Sequence, residues 1–304
     1  MRRTIAVGTR GSKLAEIQAE SVVIKLKEAM PEVDARVVKI VTTGDRENTT
    51  ALDKFAGQGV FVKELEQALM DGKINLAVHS LKDLPTEIPE GLLLAAVTAR
   101  LDPRDVFVSR GKGLADLAPG SRIGTGSLRR AVQLLTYRSD LEICEIRGNI
   151  DTRLQKVTQG EFDGIIVAAA ALIRLGWEDR ITEYLPADHF IPAVGQGALG
   201  IEIRSDDTET AELISRVKHE PTWQSVTAER EFLRALGGGC RAPIAALGTV
   251  STNTLKLNGM VAGADVSHIL RWTEKGDALA PEKIGVRLAQ KMAGMGALGL
   301  IARS

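Results

Sequence analysis

The stretch Ile123-Gly124-Thr125-Gly126-Ser127-Leu128-Arg129-Arg130 joins a short β-branched run to a helical run through a glycine-rich turn. An earlier stretch, Val7-Gly8-Thr9-Arg10-Gly11-Ser12, repeats the pattern, with a Gly-Thr turn, a serine at the expected N-cap and an arginine beside it. Free backbone N–H groups and the positive end of the helix dipole suit such a turn to an anion. Either turn alone would predict only an ordinary serine-capped helix, because N-cap serines are common. The repetition predicts two similar domains that face a cleft.

Outward from these turns, the first two hundred residues alternate β-branched runs with amphipathic helical runs. The spacing of the apolar residues assigns each run to a strand or a helix. Strands are predicted at 4–7, 35–41, 76–78, 105–108, up to 123, 141–146 and 165–168, and helices at 14–30, 60–70, 128–137 and 151–158. This alternation is typical of an α/β architecture with mainly parallel sheets.

The pattern changes after Ile203. Helical runs are predicted at 208–217 and 225–236, strands at 245–250, 254–261 and 268–274, and a final helix at 282–292. Strands grouped between helices predict a small C-terminal α+β domain. We place its boundary near His219-Glu220-Pro221, where a helix is expected to stop.

The composition is that of a globular protein with no net charge. The 304 residues are 44% hydrophobic, and 39 Lys and Arg balance 39 Asp and Glu. A neutral chain offers no overall field for nucleic acid or an acidic membrane surface. The apolar residues after Arg2 and Arg3 are too few for a signal peptide, and the longest apolar run, 165–173, is about half a membrane span. We therefore expect a soluble, cytoplasmic protein.

Cys240 follows three glycines in Leu236-Gly237-Gly238-Gly239-Cys240-Arg241. Glycines leave no side chains to bury the sulfur, and the charge of Arg241 favours the thiolate, which is the nucleophilic form. This arrangement indicates an attachment point, although a lone glycine-flanked cysteine is more often structural. Cys144 falls in a strand-like run, so we assign it to packing or to the surface and expect no disulfide.

A second candidate follows the strand predicted at 76–78, in His79-Ser80-Leu81-Lys82-Asp83-Leu84-Pro85. Ligands of α/β sheets bind at the carboxyl ends of the strands. A partly shielded acid beside a cation can hold negative charge against a forming cation, so Asp83 is the predicted proton-transfer or cation-stabilising carboxylate. The alternative is a surface turn, because exposed Lys–Asp pairs are common and weak. His79 is predicted to be a hydrogen-bonded structural residue.

Arginines recur at predicted turns, helix starts and strand ends. They are Arg10, Arg100, Arg104, Arg129, Arg130, Arg147, Arg153 and Arg174. Forked guanidinium donors match carboxylates bidentately, so the site is predicted to take a ligand with many carboxylates. A solvated face could explain any single arginine. Asp151, between Arg147 and Arg153, either faces the surface or holds one of these two arginines.

Two other function classes compete with an enzyme. A non-catalytic two-domain carboxylate- or anion-binding protein would explain the paired helix N-termini and the arginines, but not Cys240 or Asp83. If secreted, it would also need an export segment, and we find none. A nucleotide-binding regulator would need a phosphate loop of the Gly-x-x-x-x-Gly-Lys kind, which the sequence lacks.

Seven motifs run in order along nearly the whole chain. They are Thr9-Arg10-Gly11-Ser12, Phe61-Val62-Lys63-Glu64-Leu65-Glu66, His79-Ser80-Leu81-Lys82-Asp83-Leu84-Pro85, Gly124-Thr125-Gly126-Ser127-Leu128-Arg129-Arg130, Arg147-Gly148-Asn149, Ala193-Val194-Gly195-Gln196-Gly197-Ala198 and Gly238-Gly239-Cys240. Through them the chain resembles the porphobilinogen deaminase family, also called hydroxymethylbilane synthase. No single motif would suffice, but the set is highly specific.

The resemblance implies an enzyme of tetrapyrrole biosynthesis that joins four porphobilinogen molecules head to tail, releases ammonia from each and frees linear hydroxymethylbilane by hydrolysis. It implies a dipyrromethane cofactor, made of two porphobilinogen units and held by a thioether to Cys240. Each pyrrole carries an acetate and a propionate, which supplies the polycarboxylate ligand. Asp83 matches the family acid, which is implied to assist loss of the amine, to stabilise the azafulvenium cation and to help remove the proton after coupling.

The motifs carry over further site residues. The cofactor-binding residues would be Cys240, Lys82, Thr125, Ser127, Arg129, Arg130, Arg147, Gly148, Arg153 and Lys54. The substrate-binding residues would be Arg10, Ser12, Phe61, Arg174 and Gln196. No metal is implied. The main departure is Gln58, where the family carries lysine, and it puts in doubt an ion pair from this loop to a pyrrole carboxylate.

The family fold implies two α/β domains like those of periplasmic binding proteins, flanking a cleft, and a small C-terminal α+β domain that carries the cofactor cysteine. The corresponding ranges are 1–101 with 196–218, then 102–195, then 219–304. The chain would cross near Asp102-Pro103 and return near Gly195-Gln196. We expect a monomer that acts on small-molecule porphobilinogen and binds neither nucleic acid nor membrane.

Overall fold

The computed structural model describes residues 4–41, 62–237, 242–263 and 268–302. The chain divides into two compact units. The first unit is formed by Met1–Arg100 and Ala198–Trp223, and the second by Leu101–Gly197 and Gln224–Ser304. Each unit is therefore assembled from two separate segments of the chain.

The strands and helices follow one another in an order that feeds both units. The strands are β1 (Thr4–Arg10), β2 (Asp34–Ile40), β3 (Leu76–Ser80), β4 (Leu92–Val97), β5 (Asp105–Ser109), β6 (Arg122–Gly124), β7 (Glu142–Cys144), β8 (Gly164–Ala168), β9 (Glu183–Tyr184), β10 (Leu199–Arg204), β11 (Ile244–Ser251), β12 (Thr254–Ala262) and β13 (Ile269–Asp277). The helices are α1 (Lys13–Ala29), α2 (Lys63–Met70), α3 (Leu128–Tyr137), α4 (Ile150–Thr158), α5 (Ala169–Leu175), α6 (Thr208–Ser215), α7 (Glu220–Ala235), α8 (Pro281–Gly294) and α9 (Ala297–Ile301).

The first unit is built on a mixed five-stranded sheet with the order β2-β1-β3-β10-β4. Strand β1 pairs parallel with β2 and β3, whereas β10 pairs antiparallel with β3 and β4. Helix α1 covers one face of this sheet. Its buried Ala19, Val22 and Leu26 recur at helical spacing and pack with alternate residues of β1. The opposite face is covered by α2.

The second unit contains a similar five-stranded sheet with the order β7-β6-β8-β5-β9. Strand β6 pairs parallel with β7 and β8, and β5 pairs antiparallel with β8 and β9. Along β5, Val106 and Val108 enter one apolar core and Phe107 the opposite core, so both faces are covered. Gly164 on β8 leaves room for the Phe107 ring, because a Cβ there would overlap it.

The C-terminal part of the second unit is a three-stranded antiparallel meander, β11-β12-β13, packed against helices. Its core includes Phe232 of α7, Leu257 of β12 and Leu288 of α8. The meander also packs on α3, since Val132 shares a small apolar core with Ala245 and other residues of β11 and β12. Helix α3, which begins with the arginine pair, is thereby held from two sides.

The predicted α/β plan is confirmed, with two five-stranded sheets and a small C-terminal sheet covered by helices. Helix α3 has its predicted bounds. The expectation of mainly parallel sheets is wrong, because each five-stranded sheet combines parallel and antiparallel pairings. Strands β4, β9 and β10, which the sequence pattern did not predict, all pair antiparallel. Pro221 lies in the first turn of α7 instead of ending a helix, a position where its missing N–H costs nothing.

Candidate polyanion-binding site

A pair of arginines lies at the N-terminal end of α3 in the second unit. Arg129 and Arg130 occupy its first turn, which holds no acidic residue. Ser127 stands at the N-cap, but its hydroxyl makes no capping bond within the described chain; its N–H donates to Thr125 Oγ1 at 3.2 Å. The helix dipole and two guanidinium groups therefore concentrate positive potential at one end of this helix.

Both arginines bind the carboxylate of Asp105, at the start of β5. Arg129 donates from Nη2 to Oδ2 (2.8 Å), and Arg130 donates to Oδ1 from Nη2 (2.7 Å) and Nε (3.1 Å). The Asp105 side chain is 1% exposed, against 6% for Arg129 and 10% for Arg130. Burial would raise the pKa of Asp105, but the charges of Arg129 and Arg130 outweigh burial and hold the pKa well below its ordinary value. The carboxylate is therefore ionised at neutral pH.

The same two guanidinium groups keep donors for a ligand. Each carries five N–H groups. Besides the bonds to Asp105, Arg129 donates from Nη1 to Ile191 O (2.7 Å) and Arg130 from Nη1 to Ile166 O (3.1 Å). Among the described residues, no nitrogen of either group is both buried and without a hydrogen-bond partner. The donors left over therefore reach solvent, where anionic oxygens can bind them.

Two further arginines of the second unit are half-buried. Arg153 of α4 donates from Nε to Gly148 O (2.8 Å), and Arg174 of α5 donates from Nη2 to Gly197 O (2.8 Å). Burial lowers the pKa of both, to about 10 for Arg174, and repulsion from Arg130 lowers that of Arg153 further. No acidic group of the described chain offsets either shift. A buried cation in this condition is stabilised by an anionic ligand.

The segment that precedes α4 gives the backbone of this site its shape. Gly148 has a φ of +103°, in the left-handed region that favours glycine, and its carbonyl orients Arg153. Arg147 forms a surface pair with Glu145 at 2.7 Å. Asp151 is exposed, so of the two alternatives it takes the surface one.

In the first unit, Asp83 ends a short 3-10 turn, Leu81–Asp83, directly after β3. The turn is fixed by a bond from Leu81 N–H to Ala198 O (3.1 Å) and closed by one from Leu84 N–H to Leu81 O (3.2 Å). Leu81 is buried, Lys82 is half-buried and Asp83 is exposed. The partial shielding expected for Asp83 is therefore not provided by the described residues of this unit, and its carboxylate is open to a ligand.

His79, four residues before Asp83, is buried and bonded as a structural residue. Its Nε2 lies 3.0 Å from Oε2 of Glu202, and both side chains are buried. Glu202 belongs to β10, which pairs with β3, so this contact ties together the two strands beside the Asp83 turn. The second oxygen of Glu202, Oε1, has no hydrogen-bond partner among the described residues. Burial and then the charge of Glu202 raise the pKa of Glu66 on α2.

The other predicted binding residues differ in what the structure says of them. Arg10 ends β1 and is half-buried, and Ser12 caps α1, its Oγ accepting from Ala15 N–H at 3.3 Å. Gln196 is buried, and its Nε2 donates to Pro103 O (2.8 Å) and to the Asp105 carboxylate (2.9 Å). Outside the described residues lie Lys54, Gln58, Phe61 and Cys240.

The second unit thus joins most of the predicted cofactor set through direct contacts or adjacent backbone. Its members are Thr125, Ser127, Arg129, Arg130, Gly148, Arg153 and Gln196. The sequence analysis missed Asp105, which organises them. The signal was an acidic residue that opens an otherwise apolar strand. No group of His, Cys, Asp and Glu within the described ranges could hold a metal ion, and no helix there is long and apolar enough to cross a membrane.

Known proteins match this chain over its whole length. The family model described as porphobilinogen deaminase, dipyromethane cofactor binding domain, matches residues 5–212, and that of the porphobilinogen deaminase C-terminal domain matches 223–294. The curated porphobilinogen deaminase of Pelotomaculum thermopropionicum is 49% identical over 100% of this chain and 98% of its own. That of Desulforudis audaxviator is 48% identical over 100% and 98%. The solved methionine binding protein MetQ covers 74% of this chain and 93% of its own at 14% identity, with a TM-score of 0.45, too low to carry an inference.

Proposed function

The chain belongs to the porphobilinogen deaminase family, and from that premise we propose which of its residues carry out the reaction. The protein is a hydroxymethylbilane synthase that polymerises porphobilinogen, with dipyrromethane as its cofactor. We assign cation stabilisation and proton transfer to Asp83, cofactor attachment to Cys240 and carboxylate binding to the arginines of the second unit. The observation that carries these assignments is the excess of buried arginine over buried carboxylate around Asp105.

The residues of the second unit fit a dipyrromethane. Its rings bear acetate and propionate groups, and carboxylates are the natural partners of guanidinium forks. Arg129, Arg130 and Arg153 offer N–H donors, and Asp105 offsets only part of their positive charge. Thr125, Ser127, Arg147 and Gly148 line the turns on either side of these arginines. When bound, the cofactor supplies the pyrrole end from which the chain is extended.

Asp83 is placed to act on the incoming porphobilinogen. Its exposed carboxylate follows the carboxyl end of β3, and β1 lies beside β3 in parallel, so the ends of both strands meet at one edge of the sheet. Arg10 ends β1 at that edge, and it can bind a substrate carboxylate together with Ser12. Asp83 would hydrogen-bond the departing amine, hold negative charge against the azafulvenium cation and accept the ring proton after coupling.

The remaining assignments rest on motif and composition. Cys240 is the proposed thioether attachment point because its thiolate is the strongest nucleophile of its glycine-rich segment. Lys54, Lys82, Phe61 and Arg174 are proposed to contact the cofactor or the growing chain. The zero net charge supports an enzyme that acts on a small molecule, without nucleic acid or membrane, as a cytoplasmic monomer.

The test is the intact mass of the denatured full-length protein before and after incubation with porphobilinogen. We expect a mass excess of one dipyrrole on the Cys240 peptide, rising in pyrrole-sized steps with substrate. Cys240→Ser should lack this mass, because a hydroxyl is a weaker nucleophile, whereas the control Cys144→Ser should keep it. A protein that substrate and preformed hydroxymethylbilane both leave unmodified would support the non-catalytic binding alternative.

A further inference from the structure

Asp105 is sealed from any ligand, although it lies within the arginine cluster. Its Oδ1 accepts bonds from Arg130 Nε and Nη2 and from Gln196 Nε2, and its Oδ2 accepts one from Arg129 Nη2. An ionised carboxylate has about four acceptor sites, so these bonds leave no room for a further donor. The side chain is also buried. Whatever Asp105 contributes to the reaction therefore passes through the two arginines.

The two guanidinium groups need a counter-charge to stay where they are. They are buried neighbours of like charge, and such charges repel each other strongly away from water. Asp105 offsets one of the two charges, and each of its oxygens takes one arginine. The carbonyls of Ile191 and Ile166 hold the arginines at a second point. The donors left for a ligand are consequently fixed before it binds, and the pair keeps a net positive charge.

We propose that Asp105 is a positioning residue that sets Arg129 and Arg130 for the carboxylates of the dipyrromethane cofactor. Gln196 belongs to the same device, because its amide nitrogen joins Asp105 to Pro103 O. Gln196 is thus a positioning residue and does not contact substrate through that nitrogen. The inference rests on the proposed binding of cofactor carboxylates by the arginines.

Asp105→Asn tests the proposal, because it keeps the size of the side chain, removes its charge and turns one acceptor into an NH2 donor that faces a guanidinium. The full-length protein is produced without porphobilinogen and titrated with hydroxymethylbilane, and loading is read as the dipyrrole mass. Half-maximal loading should need about 10- to 100-fold more hydroxymethylbilane than in the wild type. Asp105→Glu, which retains the charge, should recover part of this loss.

The matched control is Asp140→Asn. Asp140 binds Arg138 through both oxygens, at 2.8 and 2.7 Å, on the surface of the same unit. It loses a carboxylate–guanidinium pair of similar geometry, and its loading curve should equal that of the wild type. A shift as large as that of Asp105→Asn would mean that loading responds to any lost ion pair, and would overturn the proposal.

Arg130→Gln separates the positioning role from a merely structural one. If Asp105 acts through Arg130, Asp105→Asn should shift loading less in the Arg130→Gln protein than in the wild type, whereas independent roles would give additive shifts. Normal loading of Arg130→Gln would refute the proposed cofactor binding itself. Impaired loading of Arg130→Gln with normal loading of Asp105→Asn would refute only the positioning role.

A second variant covers the case in which Asp105→Asn does not fold, as judged by circular dichroism and cooperative thermal unfolding. Gln196→Leu removes a single donor to Oδ1 and leaves both charges in place. It should raise the hydroxymethylbilane concentration for half-maximal loading by about threefold, the effect of one hydrogen bond. An unchanged loading curve for a folded Gln196→Leu protein would overturn the proposal.

Discussion

Replacing Glu229 by alanine should lower the free energy of unfolding by about 3 to 6 kcal/mol. Glu229 lies on α7 and is fully buried. Its Oε2 accepts from Gly195 N–H and its Oε1 from Gly248 N–H, both at 2.7 Å. Alanine leaves two buried N–H groups unpaired, at about 1 to 3 kcal/mol each, and adds a cavity term. Glu229→Gln keeps the volume and one acceptor, so it should lose about half as much.

Urea unfolding of the full chain, followed by circular dichroism, measures this difference. The matched control is Glu231→Ala on the same helix, which loses only a pair with Arg234 near the surface and should cost less than about 1 kcal/mol. A loss below about 1 kcal/mol for Glu229→Ala, with an unchanged dependence on urea, would refute the reasoning, because it would show that both N–H groups find other acceptors.

Four further results are expected. Asp83→Asn should keep the dipyrrole mass but slow turnover by about 10²- to 10⁴-fold, the usual contribution of a general acid or base, and near-normal turnover would remove Asp83 from that role. The pKa of Asp105 is depressed in the folded state, so its contribution to stability is present above its unfolded value of 3.8 and is lost as pH falls below it; wild type and Asp105→Asn should therefore converge in thermal midpoint between pH 5 and 3, roughly the range in which such a group gains its proton, and parallel midpoints would contradict this. Gly164→Ala should cost about 1 to 3 kcal/mol in urea unfolding, because its Cβ overlaps the Phe107 ring, and an unchanged midpoint would mean that the ring moves aside freely. Cofactor loading should slow as salt rises, through screening of the arginine cluster, and a rate flat with salt would argue against long-range attraction.

Much of the fold was predictable because it is encoded locally. The apolar spacing of α3 and the change to a helical pattern at Ser127 gave its bounds from the sequence. The predicted cap of α1 by Ser12 is also observed, since capping depends on residues three positions apart. Strand β10 was missed because it pairs antiparallel with strands that are far away in the chain, and no local period reports such a partner.

The buried carboxylates of the site were missed for the same reason. Asp105 meets Gln196 across 91 positions, Glu202 meets His79 across 123, and Glu229 meets Gly195 across 34. In the sequence each of these acids resembles an ordinary polar residue of a strand or helix. The arginines were found because their clustering at turns can be seen locally, but the acid that holds Arg129 and Arg130 becomes visible only in three dimensions.

The position of β10 has a consequence for the order in which the protein is made. Strand β10 lies between β3 and β4, and β4 pairs only with β10 among the described strands. A ribosome must therefore synthesise the five strands of the second sheet, up to Tyr184, before the chain that joins β4 to its own sheet exists. The nascent N-terminal segment waits with an open sheet edge, while the later segment can already fold. Completion of the first sheet is then a late event of synthesis, although its first strand leaves the ribosome first.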